Sequence, residues 1–357
     1  MPGAGYPARS LKPTQGEVGM VRWLAALLLL FSVRLYSAEW YSPVVALYQE
    51  RNSELFEQYE QARELNDAWR GEGAYLDEAR RILDSIVQSD NRFAPAYFEI
   101  GRLEIMDGYI NNTKFSEGSL EAAEAAILKA IELEPDYAEA HALLGHLYTR
   151  SGNYEAARSS LEKAEFIGTK SPWLNINWGD LLVRVGEHEA AFDRYMQVIE
   201  DGTDNRKAYS SALTGVQRYY EQAGELDLAD EWYRKELEYE PESAWSWGNY
   251  AAFQLYSLGD EDGAIASAET ALGIMDYGMG RMTLACALYT KWARLMDEGS
   301  SGNEAAQYFS RAYQSYKNID RAAMTLNSYE PTRFAGERLA AAMQALREQK
   351  KRQGKKQ

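Results

Sequence analysis

The sequence predicts an all-α protein built as a solenoid of antiparallel helix pairs. Self-similarity at a fixed spacing is the first observation: Gly179 follows Gly145 by 34 residues, and Ala191 follows Ala157 by 34. The second is a large apolar residue one turn after such an alanine, as at Leu161. A small residue where two helices cross, repeated at this period, is typical of stacked helix–turn–helix arrays. The 357 residues are therefore expected to form one array rather than separate globular domains.

Charge is distributed unevenly along the chain, whose formal net charge is −16. Residues 1–38 carry four basic groups and one acid, and residues 347–357 carry six basic groups and one acid. The body between them, residues 39–346, keeps 28 basic and 52 acidic groups, a net charge of −24. A body this negative repels a phosphate backbone, so we expect no nucleic-acid partner.

An export signal is predicted near the N-terminus. Residues 1–19 are rich in Gly and Pro, so we expect them to be disordered, or to be an extension upstream of a true start at Met20. Residues 20–38 then show a basic start, an uncharged apolar run and small residues before the body, the order of a secretory signal peptide. Because Arg34 is unusual near a cleavage site, an uncleaved anchor over residues 21–36 is an alternative. An amphipathic helix of a cytosolic protein is the third interpretation.

The first elements of the body are two predicted helices. Apolar residues fall at helical spacing throughout residues 44–69, which predicts one helix that glycines end at 71–73. A second helix over residues 76–87 places Ala79 in the small position that faces the partner helix. Together they predict a first, degenerate repeat at about residues 60–93.

Further repeats follow in order. The second has Gly101 and Ala123 in the two small positions, but 22 residues separate them where the third repeat has 12, so residues 107–119 are a polar inserted loop. Such a loop is either a binding edge or a tolerated surface insertion. The remaining repeats are expected at 138–171, 172–205, 210–243, 245–279 and about 286–319, with spacers before the fifth and the seventh. Pro331 begins a helix to Ala345 that caps the array, and residues 347–357 form a basic, disordered tail.

These repeats resemble the tetratricopeptide repeat (TPR) family. The resemblance covers about residues 60–319 in some seven repeats, within a solenoid over 44–345, and it is most specific at residues 94–243. It implies a right-handed superhelix whose first helices line a concave groove. Together with the predicted signal, it suggests an exported bacterial TPR protein.

No catalytic, metal or cofactor site is predicted. His141 and His146 are five residues apart, whereas two ligands on one helix face need a spacing of four. Cys286 is the only cysteine, which excludes an intramolecular disulfide and a cysteine-based zinc site. Glycine-rich phosphate loops and nucleophile elbows are also absent from the sequence. We therefore expect a protein that is not an enzyme.

The resemblance also implies which residues line the groove, by their positions in the first helix of each repeat. Arginines recur there with aromatic residues between them, a pattern suited to a partner segment with acidic groups. The alternative is that these arginines neutralise acids within the array. The Lys and Asn pattern of the family's carboxylate-clamp adaptors is absent. The predicted groove residues are Phe98, Arg102, His146, Arg150, Trp173, Ile176, Arg184, Arg218, Phe253, Tyr256 and Arg294.

Three functions are compatible with these observations. The leading hypothesis is a non-catalytic scaffold on the periplasmic or other extracytoplasmic side of a bacterial envelope, binding a protein in assembly of a secretion, pilus, flagellar or cell-wall machine. The second is a periplasmic small-ligand or glycan-binding protein that uses Trp173, Phe253 and Tyr256 as stacking surfaces. The third is an accessory subunit of an enzyme complex. Membrane contact is expected only through an uncleaved anchor or weakly through the basic tail.

Overall fold

The computed structural model describes residues 42–69, 73–108, 116, 118–299 and 303–317, and every regular element within these ranges is helical. The helix pairs belong to the compact unit that begins at Val44. The described helices are α1 (Pro43–Arg51), α2 (Ser53–Ala68), α3 (Gly73–Ser89), α4 (Ala94–Gly108), α5 (Ser119–Leu133), α6 (Ala138–Ser151), α7 (Tyr154–Ile167), α8 (Trp173–Val185), α9 (His188–Asp201), α10 (Arg206–Ala223), α11 (Leu226–Tyr239), α12 (Ala244–Phe253), α13 (Glu261–Ile274), α14 (Gly278–Asp297) and α15 (Asn303–Lys317).

Seven consecutive helix pairs, from α2–α3 to α14–α15, build the solenoid. The first helix of a pair also packs on the first helix of a neighbouring pair, as α6 does on α8 and α8 on α10. Each helix thus contacts its partner and the adjoining repeat, which is the arrangement of a stacked array. The predicted all-α solenoid of helix pairs is confirmed.

Small residues at the helix crossings let the paired helices approach closely. The alanines predicted for the second helices are all buried: Ala79, Ala123, Ala157, Ala191, Ala229, Ala264 and Ala305. On the first helices, a Cβ added to Gly101 would lie 2.5 Å from the Ile127 side chain, and one added to Gly145 would lie 2.6 Å from that of Leu161. A larger residue at either glycine would push the pair apart.

The helix predicted over residues 44–69 is interrupted in the structure. α1 ends at Arg51 and α2 begins at Ser53, because the Oδ1 atom of Asn52 accepts a hydrogen bond from the Leu55 backbone N–H at 3.2 Å. A side-chain cap of this kind satisfies a backbone donor that the first turn of a helix leaves unpaired, so a new helix starts here.

The predicted spacer before the fifth repeat is helical. Residues 206–209 form the first turn of α10, which Asn205 caps by accepting a hydrogen bond from the Ala208 N–H at 3.0 Å. In this turn the Lys207 ammonium donates to the carbonyl oxygen of Trp69, 3.2 Å away at the end of α2. A cation at the C-terminal end of a helix is favourable. The added turn therefore brings the fifth repeat into contact with the first.

The sixth and seventh repeats also depart from the predicted register. In the sixth, residues Gln254–Leu258 extend α12 as a π-helical turn that ends at Gly259, and the wider turn accommodates an additional residue. Before the seventh, the predicted spacer with Gly278 and Gly280 is helical, because α14 already begins at Gly278.

Several predicted segments lie outside the described residues. They are residues 1–19, the export segment 20–38, most of the loop 107–119, the capping helix 331–345 and the tail 347–357. Among the helices that are described, none combines the length and the apolar character that a membrane crossing needs.

Candidate protein-binding face

Three arginines at a spacing of 34 residues lie at the centre of the array. Arg150 is in the last turn of α6, Arg184 is in the last turn of α8, and Arg218 is on α10. Arg184 and Arg218 are exposed, and Arg150 is half-buried. Within the described residues, neither Arg184 nor Arg218 makes an ion pair. We call Arg150, Arg184 and Arg218 the central arginines.

The central arginines act on one another electrostatically. Burial lowers the pKa of Arg150, and the positive charges of Arg184 and Arg218 lower it further, whereas Asp180 has the opposite effect. The guanidinium groups of three successive repeats thus share one field. Like charges held together are unfavourable, so this arrangement costs free energy in the unliganded protein.

Asp180 is on the same helix as Arg184, and it is engaged elsewhere. It lies one turn before Arg184 on α8, a spacing that allows an ion pair. Its Oδ1 atom instead accepts a hydrogen bond from the Tyr195 hydroxyl at 2.8 Å. Burial, followed by the charge of Asp180 and this hydrogen bond, raises the pKa of Tyr195. The phenol therefore remains a donor to Asp180 at any physiological pH.

Two glycines fix the ring of Tyr195 in this position. A Cβ added to Gly179 of α8 would lie 2.5 Å from the ring, and one added to Gly215 of α10 would lie 2.4 Å from it. The ring therefore fills the space between two neighbouring first helices. The close packing of α8, α9 and α10 directs the Tyr195 hydroxyl to Asp180.

His146 completes the polar surroundings of the central arginines. Burial lowers its pKa, while Asp180 and a hydrogen bond with Asn177 oppose the shift. The imidazole is therefore neutral at pH 7 and adds no positive charge. Asn177 also donates to the carbonyl oxygen of Ala142 at 3.0 Å, which ties α8 to α6.

The two outer arginines of the predicted groove are paired within the array. Arg102 Nη1 donates to both carboxylate oxygens of Glu99, at 2.9 and 3.0 Å, and its Nη2 donates to Asp67 at 2.6 Å. Arg294 pairs with Glu261 and, at 2.7 Å, with Glu298. Here the arginines neutralise neighbouring acids, as the alternative interpretation expected.

The apolar residues predicted for the groove do not form one surface. Ile176 and Phe253 are only 3% and 2% exposed and belong to the core, which corrects their assignment to the groove. Phe98 is half-buried against Tyr137, with ring centroids 5.2 Å apart.

The stacking surface proposed for a small ligand is also divided. Trp173 packs against the core around α8, Phe253 packs on Tyr233, and Tyr256 lies in a third cluster beside Cys286. These aromatic residues therefore do not converge on one ligand. A cavity of about 230 Å³ lies elsewhere, lined by residues that include Arg51, Arg92 and Glu134 and by none of the predicted groove residues.

A buried acid in the fifth repeat escapes the sequence analysis. Gln217 replaces the small first-helix residue, and its Nε2 atom donates to Glu236 Oε2 at 2.7 Å; Ser246 Oγ donates to Glu236 Oε1 at 3.0 Å. Burial raises the pKa of Glu236, although these hydrogen bonds and Arg218 oppose the shift. The sequence did contain one indication of this acid. A glutamine at a helix crossing, as at position 217, needs a buried polar partner on the facing helix.

No metal site is evident in the part of the chain that the structure describes. Within it, no group of three or more His, Cys, Asp or Glu residues could hold an ion. His141 Nε2 instead contacts the carbonyl oxygen of Pro135 at 2.9 Å. Cys286 is buried, and burial raises the pKa of its thiol to about 11, so the thiolate is scarce at neutral pH.

Comparison with known proteins finds the same repeat. The sequence profile described as "TPR repeat" matches residues 112–152. The chain is 25% identical over 214 residues to the peroxisomal targeting signal receptor of Komagataella phaffii, an alignment that covers 57% of this chain and 34% of the receptor. The same protein of Komagataella pastoris matches equally. The chain spans about a third of the length of these curated relatives.

Several solved structures are similar to this chain at low sequence identity. The APC/C hetero-tetramer Cut9–Hcn1 gives a TM-score of 0.50 at 18% identity, covering 66% of this chain and 46% of that chain. PilW, described as a type IV pilus biogenesis factor, gives 0.48 at 16% identity, covering 66% and 98%. The Pseudomonas aeruginosa pilF structure gives 0.47 at 18% identity, covering 67% and 97%. The first of these likenesses, at a TM-score of 0.50, concerns the fold alone.

Proposed function

We propose that this chain, which matches a tetratricopeptide repeat profile at residues 112–152, is a non-catalytic adaptor that binds a protein partner at the face carrying Arg150, Arg184 and Arg218. The observation that supports this most is the unpaired state of Arg184 and Arg218 within the described residues, in a body with far more acids than bases. Exposed arginines without an acid of their own are suited to an external ligand.

We further propose that the protein lies outside the cytoplasm and takes part in the assembly of an envelope machine. Its support is the signal-like order of residues 20–38. Fractionation of cells that express the full chain with a C-terminal tag tests this location. Recovery with the periplasm or the membrane is expected, and recovery of the tagged chain only in the cytoplasm would contradict it.

The partner is best identified by photo-cross-linking in the native cells. A photoreactive residue replaces Arg184, and the control carries the same residue at Glu162, which is exposed on α7. Both positions are solvent-accessible, so the two variants differ in the face that they probe. We expect one protein to be captured from position 184 and not from 162. Equal capture from both positions, or none from 184, would contradict binding at this face.

A further inference from the structure

The central arginines have a charge pattern that specifies their ligand. We propose that they bind an acidic stretch inside a partner chain, in which two carboxylates at alternate positions engage Arg184 and Arg218. This inference rests on the proposed function and names the chemistry of the partner segment. It differs from recognition of a chain terminus, because the carboxylates are side chains.

The local charge balance favours an anionic ligand with more than one charge. The positive charges of Arg184 and Arg218 both act on Arg150, whereas Asp180, the opposing acid on α8, accepts a hydrogen bond from Tyr195, and His146 is neutral at pH 7. Of the acids near Arg218, Glu221 accepts hydrogen bonds from Tyr233 and Ser257, and Glu236 is buried behind α10 and has a raised pKa. Within the described residues, Arg184 and Arg218 each lack an ion pair, and two carboxylates would neutralise them.

The spacing of the helices favours two separate carboxylates over one phosphate group. Arg184 and Arg218 project from α8 and α10, which pack directly on each other. Axes of packed helices are about 8–10 Å apart. In an extended segment, side chains two residues apart lie on one face about 6.6 Å from each other. The flexible arginine side chains can bridge the difference between the helix separation and the spacing of the two carboxylates. Each arginine can then bind one carboxylate through two parallel hydrogen bonds.

Direct binding of a defined peptide tests the inference. The probe is a fluorescein-labelled, C-terminally amidated dodecapeptide of alternating Glu and Ala, and fluorescence anisotropy with the full chain gives its Kd. We expect Arg184→Gln to weaken binding about tenfold and the double variant Arg184→Gln, Arg218→Gln to weaken it more, since each arginine supplies charge-assisted hydrogen bonds to one carboxylate.

A matched control separates this site from the net charge of the protein. The double variant Arg81→Gln, Arg234→Gln removes the same charge from exposed arginines that pair with acids on their own helices, Glu78 on α3 and Asp230 on α11. Its Kd should equal that of the unmodified chain. Equal weakening by the two double variants would overturn the inference, because general attraction would then explain binding.

Two further peptides test the choice of ligand. An unlabelled competitor with alternating Gln and Ala and a free C-terminus offers one terminal carboxylate, and an amidated peptide with a single phosphoserine offers one phosphate. We expect both to compete at least tenfold less well than the Glu peptide. Competition by either peptide that is less than tenfold weaker than that of the Glu peptide would overturn the inference. The adaptor function would still stand if a partner were captured from position 184.

Discussion

The outer and the central arginines of the groove had the same predicted role, but the structure gives them different surroundings. Arg102 and Glu99 are three residues apart on one helix, and they pair. Arg184 and Asp180 are four residues apart on one helix, and they do not pair; Asp180 Oδ1 instead accepts a hydrogen bond from the Tyr195 hydroxyl. Spacing along a helix therefore does not decide whether an arginine is paired: Glu99 accepts hydrogen bonds from both Asn66 and Arg102, whereas Asp180 accepts one from Tyr195 and none from Arg184. The predictions below test this difference.

The largest effect is expected for Arg102→Ala. The change leaves Glu99, which is 1% exposed, without its cation in the core. Removing one member of a buried pair costs about 3–5 kcal/mol. Urea unfolding followed by circular dichroism measures this loss. A loss below about 1 kcal/mol would show that Arg102 does not stabilise the fold and would remove the contrast with Arg184.

A smaller loss is expected when the packing around Tyr195 is disturbed. Gly179→Ala places a methyl group against the ring and should cost about 1–3 kcal/mol by overpacking. Gly273→Ala in α13 is the control, since a Cβ there meets nothing within 4 Å. It should stabilise the chain by roughly 0.5 kcal/mol, because glycine disfavours helix. Equal unfolding free energies for the two variants would contradict the packing argument.

Tyr195→Phe tests directly why Asp180 leaves Arg184 unpaired. Loss of the hydroxyl should reduce the unfolding free energy by about 1 kcal/mol, the usual net value of one hydrogen bond. It also releases the oxygen of Asp180, which can then pair with Arg184 and compete with an acidic peptide. We expect weaker binding of the Glu–Ala peptide, measured by anisotropy. Unchanged binding would mean that Tyr195 does not control the availability of the arginines.

A pH-dependent effect is expected from the buried acid behind Arg218. Because burial raises the folded-state pKa of Glu236 above 4.5, its contribution to stability is fully present below pH 4.5 and is lost as pH rises through the folded pKa. Glu236→Gln should therefore be more stable than the unmodified chain at pH 7, and its stability should fall less as pH rises from 4.5. Thermal unfolding at several pH values measures both. Identical pH profiles would contradict a raised pKa.

The sequence allowed the helix pairs to be predicted because their signal is local and repeated. Gly145, Ala157 and Leu161 recur at one period, and burial follows from that period. The hydrogen bond from Lys207 to Trp69 joins residues 138 positions apart, so no local pattern could reveal it. The same holds for the pairing of Arg102 with Asp67 in the preceding helix pair. The positions of the candidate groove residues were thus predictable. Whether each arginine is paired with an acid of the array was not.

The unfolding free energy of the double variant Arg184→Gln, Arg218→Gln tests the central claim most directly. If these arginines serve a ligand rather than the fold, removing two charges that repel Arg150 should leave stability within about 0.5 kcal/mol of the unmodified chain, or raise it. Urea unfolding at low salt gives the value, with Arg102→Gln measured alongside. A loss of several kcal/mol, similar to that of Arg102→Gln, would show that the central arginines stabilise the array and would contradict a binding role.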